Sequence, residues 1–197
     1  MASEHPITLA SAKPLVILMR GADDPMTRQW SRQWQRAYPD AISVELDLWD
    51  RPHRNTWINR FNLAIEQAAR PVVVVAQGLA CAVLVCWAEY EQAAAEERIK
   101  GALLIDPPVV EGPDIDPRLD AFPALPSLPL PFPALVLASA WRDYPALRAL
   151  RRLARVWDCP FDTIAENSVF RPNSVDPVQS LGHKFMTKFM EFGPTGA

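Results

Sequence analysis

The stretch PVVVVAQGLACAVLVCWAEY, residues 71–90, is where this chain could hold reactive groups. Four successive valines predict a strand covered on both faces, and the apolar run from residue 79 predicts the helix that follows. A sharp turn between such elements lifts one residue above the sheet, where a nucleophile is exposed for attack. That residue is Gly78, between Gln77 and Leu79, and it has no side-chain atom with which to attack. Cys81 follows one helical turn later, near a helix N-terminus of the kind that lowers a thiol pKa. The competing reading of Cys81 is a small buried residue that packs the helix on the sheet. Ser139 ends a later strand and offers a hydroxyl, but no base lies beside it in sequence. The chain has three histidines: His5 in the N-terminal tail, His53 in the loop after the second strand and His183 on the last helix. Asp106, before Pro107 and Pro108, reads as a turn or capping carboxylate, and Asp23, Asp24, Asp47 and Asp50 as acidic turn residues. No metal site and no cofactor are expected.

These groups need a frame. Residues 14–19 (PLVILM) form a short apolar run typical of a central parallel strand. Residues 26–38 repeat Trp30 and Trp34 one turn apart and predict an amphipathic helix. Residues 41–46 alternate as a second strand, and residues 55–69 are helical, closed by Arg70-Pro71. The strand over residues 72–75 is followed by a helix over 79–95 and a strand over 101–105. A proline-rich connection over residues 109–133 is long for an ordinary loop, and such loops tend to be functional or to cover something. A strand over 134–138, a helix over 144–157, a strand over 161–164 and a C-terminal helix over 176–192 complete the order. Strands alternating with helices predict a three-layer α/β/α sandwich with a mainly parallel sheet of about six strands. A single domain over residues 1–197 is expected, with residues 1–12 as a tail.

Composition narrows the function. Half of the 197 residues are apolar (49%) and the net charge is −3, which predicts a globular protein with no nucleic-acid or membrane partner. Arg148, Arg151, Arg152 and Arg155 read as a solvated helix face. Cys81, Cys86 and Cys159 form no CxxC pair, and any pairing leaves one thiol over. That pattern, with no apolar leader or span, predicts the cytoplasm.

The chain resembles the small single-domain serine hydrolases of the α/β-hydrolase class, the group that includes retinoblastoma-binding protein nine and many bacterial relatives. The resemblance rests on Trp30 and Trp34, on DLWDRPHRNTW at residues 47–57 and on VVVAQGLACAVLVCWA at residues 73–88. GALLIDPP at residues 101–108 and PLPFPALVLAS at residues 129–139 extend it. In that family the elbow reads histidine-serine-leucine-glycine-cysteine; here it reads Gln77-Gly78-Leu79-Ala80-Cys81. The family's acid falls on Trp141 or Arg142, or on Asp143 with a shift, and its histidine falls near Val169. The resemblance therefore implies a degenerate triad at Gly78, Asp143 and Val169.

The function expected is that of a pseudo-hydrolase retained for binding a protein partner, a second copy of itself or a small molecule. The ligand would lie in a vestigial pocket of Gly21, Gln77, Gly78, Leu79 and Trp141, with Trp141 plugging or lining it. Two alternatives remain: an active esterase-type enzyme with Cys81 or Ser139 as displaced nucleophile, and an assembly subunit that uses the proline-rich segment.

Overall fold

The computed structural model describes residues 13–111, 115–122 and 124–164, together with Phe185 and Thr187. The expected tail over residues 1–12, Val169 and most of the expected C-terminal helix lie outside the described residues. Six parallel strands, β1 (Leu15–Arg20), β2 (Ile42–Val44), β3 (Val72–Gln77), β4 (Ile99–Ile105), β5 (Ala134–Ser139) and β6 (Phe161–Ile164), pair in the order β2-β1-β3-β4-β5-β6. Helices α1 (Pro25–Ala37), α2 (Arg54–Gln67), α3 (Ala80–Tyr90), α4 (Gln92–Arg98) and α5 (Tyr144–Val156) connect them.

The period-2 geometry of the strands divides the apolar residues between two cores. Ile17, Met19, Val72, Val74, Ala76 and Leu104 face α2, α3 and α5. Val16, Leu18, Val73, Val75 and Leu103 face Trp30 and Trp34 of α1, and Phe185 packs against the same group. A strand that feeds both cores must be apolar throughout, which is why β1 and β3 carry no polar residue until their last position. Three of the core tryptophans find acceptors for their N–H groups, whereas the buried Trp30 Nε1 has none among the described residues. The Nε1 atoms of Trp57, Trp87 and Trp157 donate to Asp47 O, Asn62 Oδ1 and Pro126 O at 2.8, 2.9 and 2.9 Å.

Two segments depart most from the sequence expectation. The helix expected over 79–95 is two helices broken at Glu91, whose backbone leaves the helical region (φ −110°, ψ 45°). The proline-rich connection contains a 3-10 turn at Pro117–Ala121, with Asp116 as its N-cap and Leu119 buried beneath it. Among the described residues, no helix is long and apolar enough to cross a membrane.

Candidate functional site

The strand order reverses between β1 and β3, because β1 leads outward to β2 whereas β3 leads through β4 to β6. Ligands of open α/β sheets bind beyond the carboxyl ends of the strands at such a reversal. A crevice of about 230 Å³ opens there, walled by Gly21, Gln77, Gly78, Leu79, Asp106, Asp116, Arg118 and Arg142 among others.

Gly78 forms the turn between β3 and α3 with φ at +58°, in the left-handed region that side chains resist. Its N–H donates to Ile105 O at 2.8 Å, which ties the turn to the end of β4. A Cβ built on Gly78 would approach nothing closer than Gly21 Cα at 4.0 Å. The backbone therefore retains the exposed turn, and the space for a side chain is open. Gly21 behaves oppositely: a Cβ there would lie 2.3 Å from Leu79 N, 2.6 Å from Gln77 O and 2.8 Å from Ala80 N. Only glycine lets β1 come this close to the turn. Leu79, the N-cap of helix α3, makes no side-chain capping bond.

The displaced-nucleophile candidates are both engaged. Cys81 is fully buried, its thiol donates to Ala76 O at 3.3 Å, and burial pushes its pKa far up. Ser139 is 3% exposed, and its hydroxyl donates to the Asp106 carboxylate. That carboxylate also accepts from Ser139 N at 2.7 Å and from Arg142 Nε at 2.9 Å. Asp106 is thus a clamp between β4 and β5 at the crevice wall.

The remaining sequence candidates fall elsewhere. Asp143 is exposed and caps α5, accepting from Ala146 N at 2.8 Å. His53, the one histidine among the described residues, caps α2 by accepting from Thr56 N. Trp141, expected in the pocket, stands outside its wall and is 61% exposed. A tight turn after β5, closed by Arg142 N donating to Ser139 O, sends adjacent side chains in different directions. Arg142 turns toward the crevice, and Trp141 stays outside with the Arg142 guanidinium 5.5 Å over its ring. Asp23 pairs with Arg20 and Arg28, and Asp47 with Arg60. Among the described residues no His, Cys, Asp or Glu cluster is arranged to hold a metal ion.

Sequence reasoning missed Arg118. Its Nε and Nη2 donate to Asp116, and its Nη1 donates to Gly21 O at 3.0 Å and Trp49 O at 3.3 Å. The guanidinium lowers the Asp116 pKa through these hydrogen bonds. A capping aspartate directly before a proline, Asp116-Pro117, was the available signal that this segment is ordered.

Comparison with known proteins gives a consistent picture. A family model described as serine hydrolase matches residues 16–174. No curated protein sequence matches the chain. A YdeN-like hydrolase from Pectobacterium atrosepticum aligns with a TM-score of 0.64 at 19% identity, over 90% of this chain and 91% of its own. The ydeN gene product of B. subtilis aligns with a TM-score of 0.59 at 13% identity, over 91% and 100%. A hyperthermophilic esterase from the archaeon Pyrobaculum calidifontis aligns with a TM-score of 0.65 at 13% identity, over 92% and 75%. Similarity at these identities establishes the shared fold.

Proposed function

Because the chain belongs to the serine hydrolase family, we propose that it is a non-catalytic member, a pseudo-hydrolase that binds a ligand where its relatives cleave one. The observation that carries this reading is the turn at Gly78, which keeps a left-handed backbone and an open side-chain direction but carries no nucleophile. The triad mechanism needs a hydroxyl to attack, an imidazole to take its proton and a carboxylate to orient the imidazole. Here the hydroxyl is missing at the turn and the shifted carboxylate of Asp143 caps a helix, while the family resemblance sets Val169, in the sequence, near the histidine position.

Relocated chemistry finds little support. A thiol with a strongly raised pKa and no contact with solvent is neither a thiolate nor reachable by substrate. The Ser139 hydroxyl bonds to a carboxylate that already accepts from the Ser139 backbone N–H and from Arg142, and a carboxylate is a poor base for a hydroxyl. A small-molecule ligand is favoured over a protein partner because Trp141 does not plug the crevice, whose volume suits a ligand smaller than drug size.

The deciding experiment is labelling with a fluorophosphonate probe together with turnover of short p-nitrophenyl esters. The protein should remain unlabelled and turn over no faster than buffer. Stoichiometric labelling, or ester turnover abolished by Ser139→Ala, would establish a working hydrolase and end the proposal.

A further inference from the structure

The proline-rich span has a second surface, which shares no lining residue with the crevice and does not depend on what the crevice binds. Val110, Ile115, Leu119, Phe122, Leu153 and Val156 line much of a groove of about 710 Å³ between the span and α5. Three of these, Val110, Ile115 and Val156, are exposed. Exposed apolar side chains gathered at one place mark a surface that another surface covers.

Beside the groove the span forms a knob. Pro126 O accepts from Trp157 Nε1 at 2.9 Å, and Leu130 N donates to Trp157 O at 3.1 Å. One buried tryptophan therefore pins the chain on both sides of Leu128, which is itself 55% exposed. Pro126 and Ser127, directly before it, belong to the groove wall. Pro126, Pro129 and Pro131 restrict the backbone here, and the run from Leu125 to Pro133 holds no charged residue. A side chain presented on so constrained a segment loses little conformational freedom on binding.

Charge is divided across the same groove. Asp120 stands on the span wall, and Arg155 on α5, directly before Val156 of the other wall. Both are exposed, and neither has an ion-pair partner among the described residues, whereas Glu111 and Arg152 pair with each other. A twofold contact sets one patch against itself, so each residue meets a counterpart that returns the contact. A face with knob beside groove, and acid beside base, meets that condition; an unrelated partner would need only one half of each.

We propose that this face joins two copies of the chain about a twofold axis. Leu128 of each copy enters the groove of the other, and Asp120 faces Arg155 of the partner subunit at the rim.

Sedimentation velocity of the full chain tests this contact. The chain should be a dimer at about 100 μM and dissociate on dilution. Leu128→Asp should raise the dissociation constant roughly a hundredfold, because one substitution acts at both ends of a twofold contact. Leu63→Asp, at a comparably exposed leucine on α2, should leave it unchanged. Asp120→Arg and Arg155→Asp should each weaken the dimer about tenfold, and the double variant should regain the natural affinity. A strict monomer at the highest concentration overturns the proposal and leaves the groove to a small apolar ligand or a different protein. A dimer indifferent to Leu128→Asp, one equally weakened by Leu63→Asp, or a double variant no stronger than the single ones overturns it as well.

Discussion

At the scale of single residues, the two glycines that face each other across the crevice obey different constraints. Gly78 is held by its backbone: at φ +58° a side chain has room but costs about 1–2 kcal/mol in conformational strain. Gly21 is held by its surroundings, since a Cβ there would overlap main-chain atoms that have no freedom to rotate away. Gly78→Ser should therefore fold, lose about 1 kcal/mol in urea unfolding and stay unlabelled by fluorophosphonate, because the one histidine among the described residues, His53, caps α2 and does not line the crevice to take the proton of a restored hydroxyl. Gly21→Ala should lose about 3 kcal/mol, the range of backbone-level overpacking. Equal losses at the two sites would show that the approach of β1 to the turn is looser than the geometry indicates. The same contrast explains what the sequence disclosed. The missing nucleophile at Gly78 was legible as a residue type in a recognisable setting. The closeness of Gly21 was not, because it depends on two strands that lie more than fifty residues apart.

At the scale of elements, the crevice is shaped by how β4 and β5 end. Asp106 turns the chain after β4 with φ at +47°, unusual for a non-glycine residue, directly before two prolines. Three hydrogen bonds to its carboxylate, from Ser139 N, Ser139 Oγ and Arg142 Nε, hold that turn against the end of β5. Asp106→Ala should cost about 2–3 kcal/mol, since it leaves a buried hydroxyl and a half-buried guanidinium without their acceptor. Ser139→Ala alone should cost less. The double variant should fall short of the sum by about 1 kcal/mol or more, because the two residues share one bond; simple additivity would rule out the clamp. The sequence reading of Asp106 as a turn carboxylate anticipated its location but not its partners. Strands β1, β3 and β6 were readable because fully apolar or tightly bounded runs leave little choice of structure. The break at Glu91 was hidden, because the alanines that follow it continue a helical composition, and only the backbone reveals the change of direction. Trp141 was misplaced for a related reason: alignment fixes a position along the chain, whereas a tight turn decides where the side chain points.

At the scale of the whole molecule, one sheet separates two apolar cores, and the proline-rich span is fastened across one end of it by a few polar links. Leu119 and Phe122 anchor the span in the core, while Arg118 reaches from it to the carbonyls of Gly21 and Trp49, on the turn after β1 and on the β2–α2 connection. Arg118 is oriented for this by Asp116, whose carboxyl the guanidinium holds below the usual carboxylate range. A folded-state pKa that is lowered contributes stability above the unfolded value near 4 and loses it as pH falls below that. Solvent reaches both partners, whose side chains are 27% and 28% exposed, so the contribution should be about 1 kcal/mol. Asp116→Asn retains a capping side chain but removes the charge, and so isolates this effect from the other carboxylates that titrate in acid. At pH 6 the amides of Leu119 and Phe122, both hydrogen-bonded within the 3-10 turn, should exchange up to fivefold more slowly in the natural chain than in Asp116→Asn. That difference should shrink to nothing as pH falls from 4 toward 2, while Val74 in the central strand is equally protected in both proteins. A difference that persists at pH 2, or none at pH 6, would mean that apolar burial alone fixes the span and that Arg118 is oriented without its carboxylate.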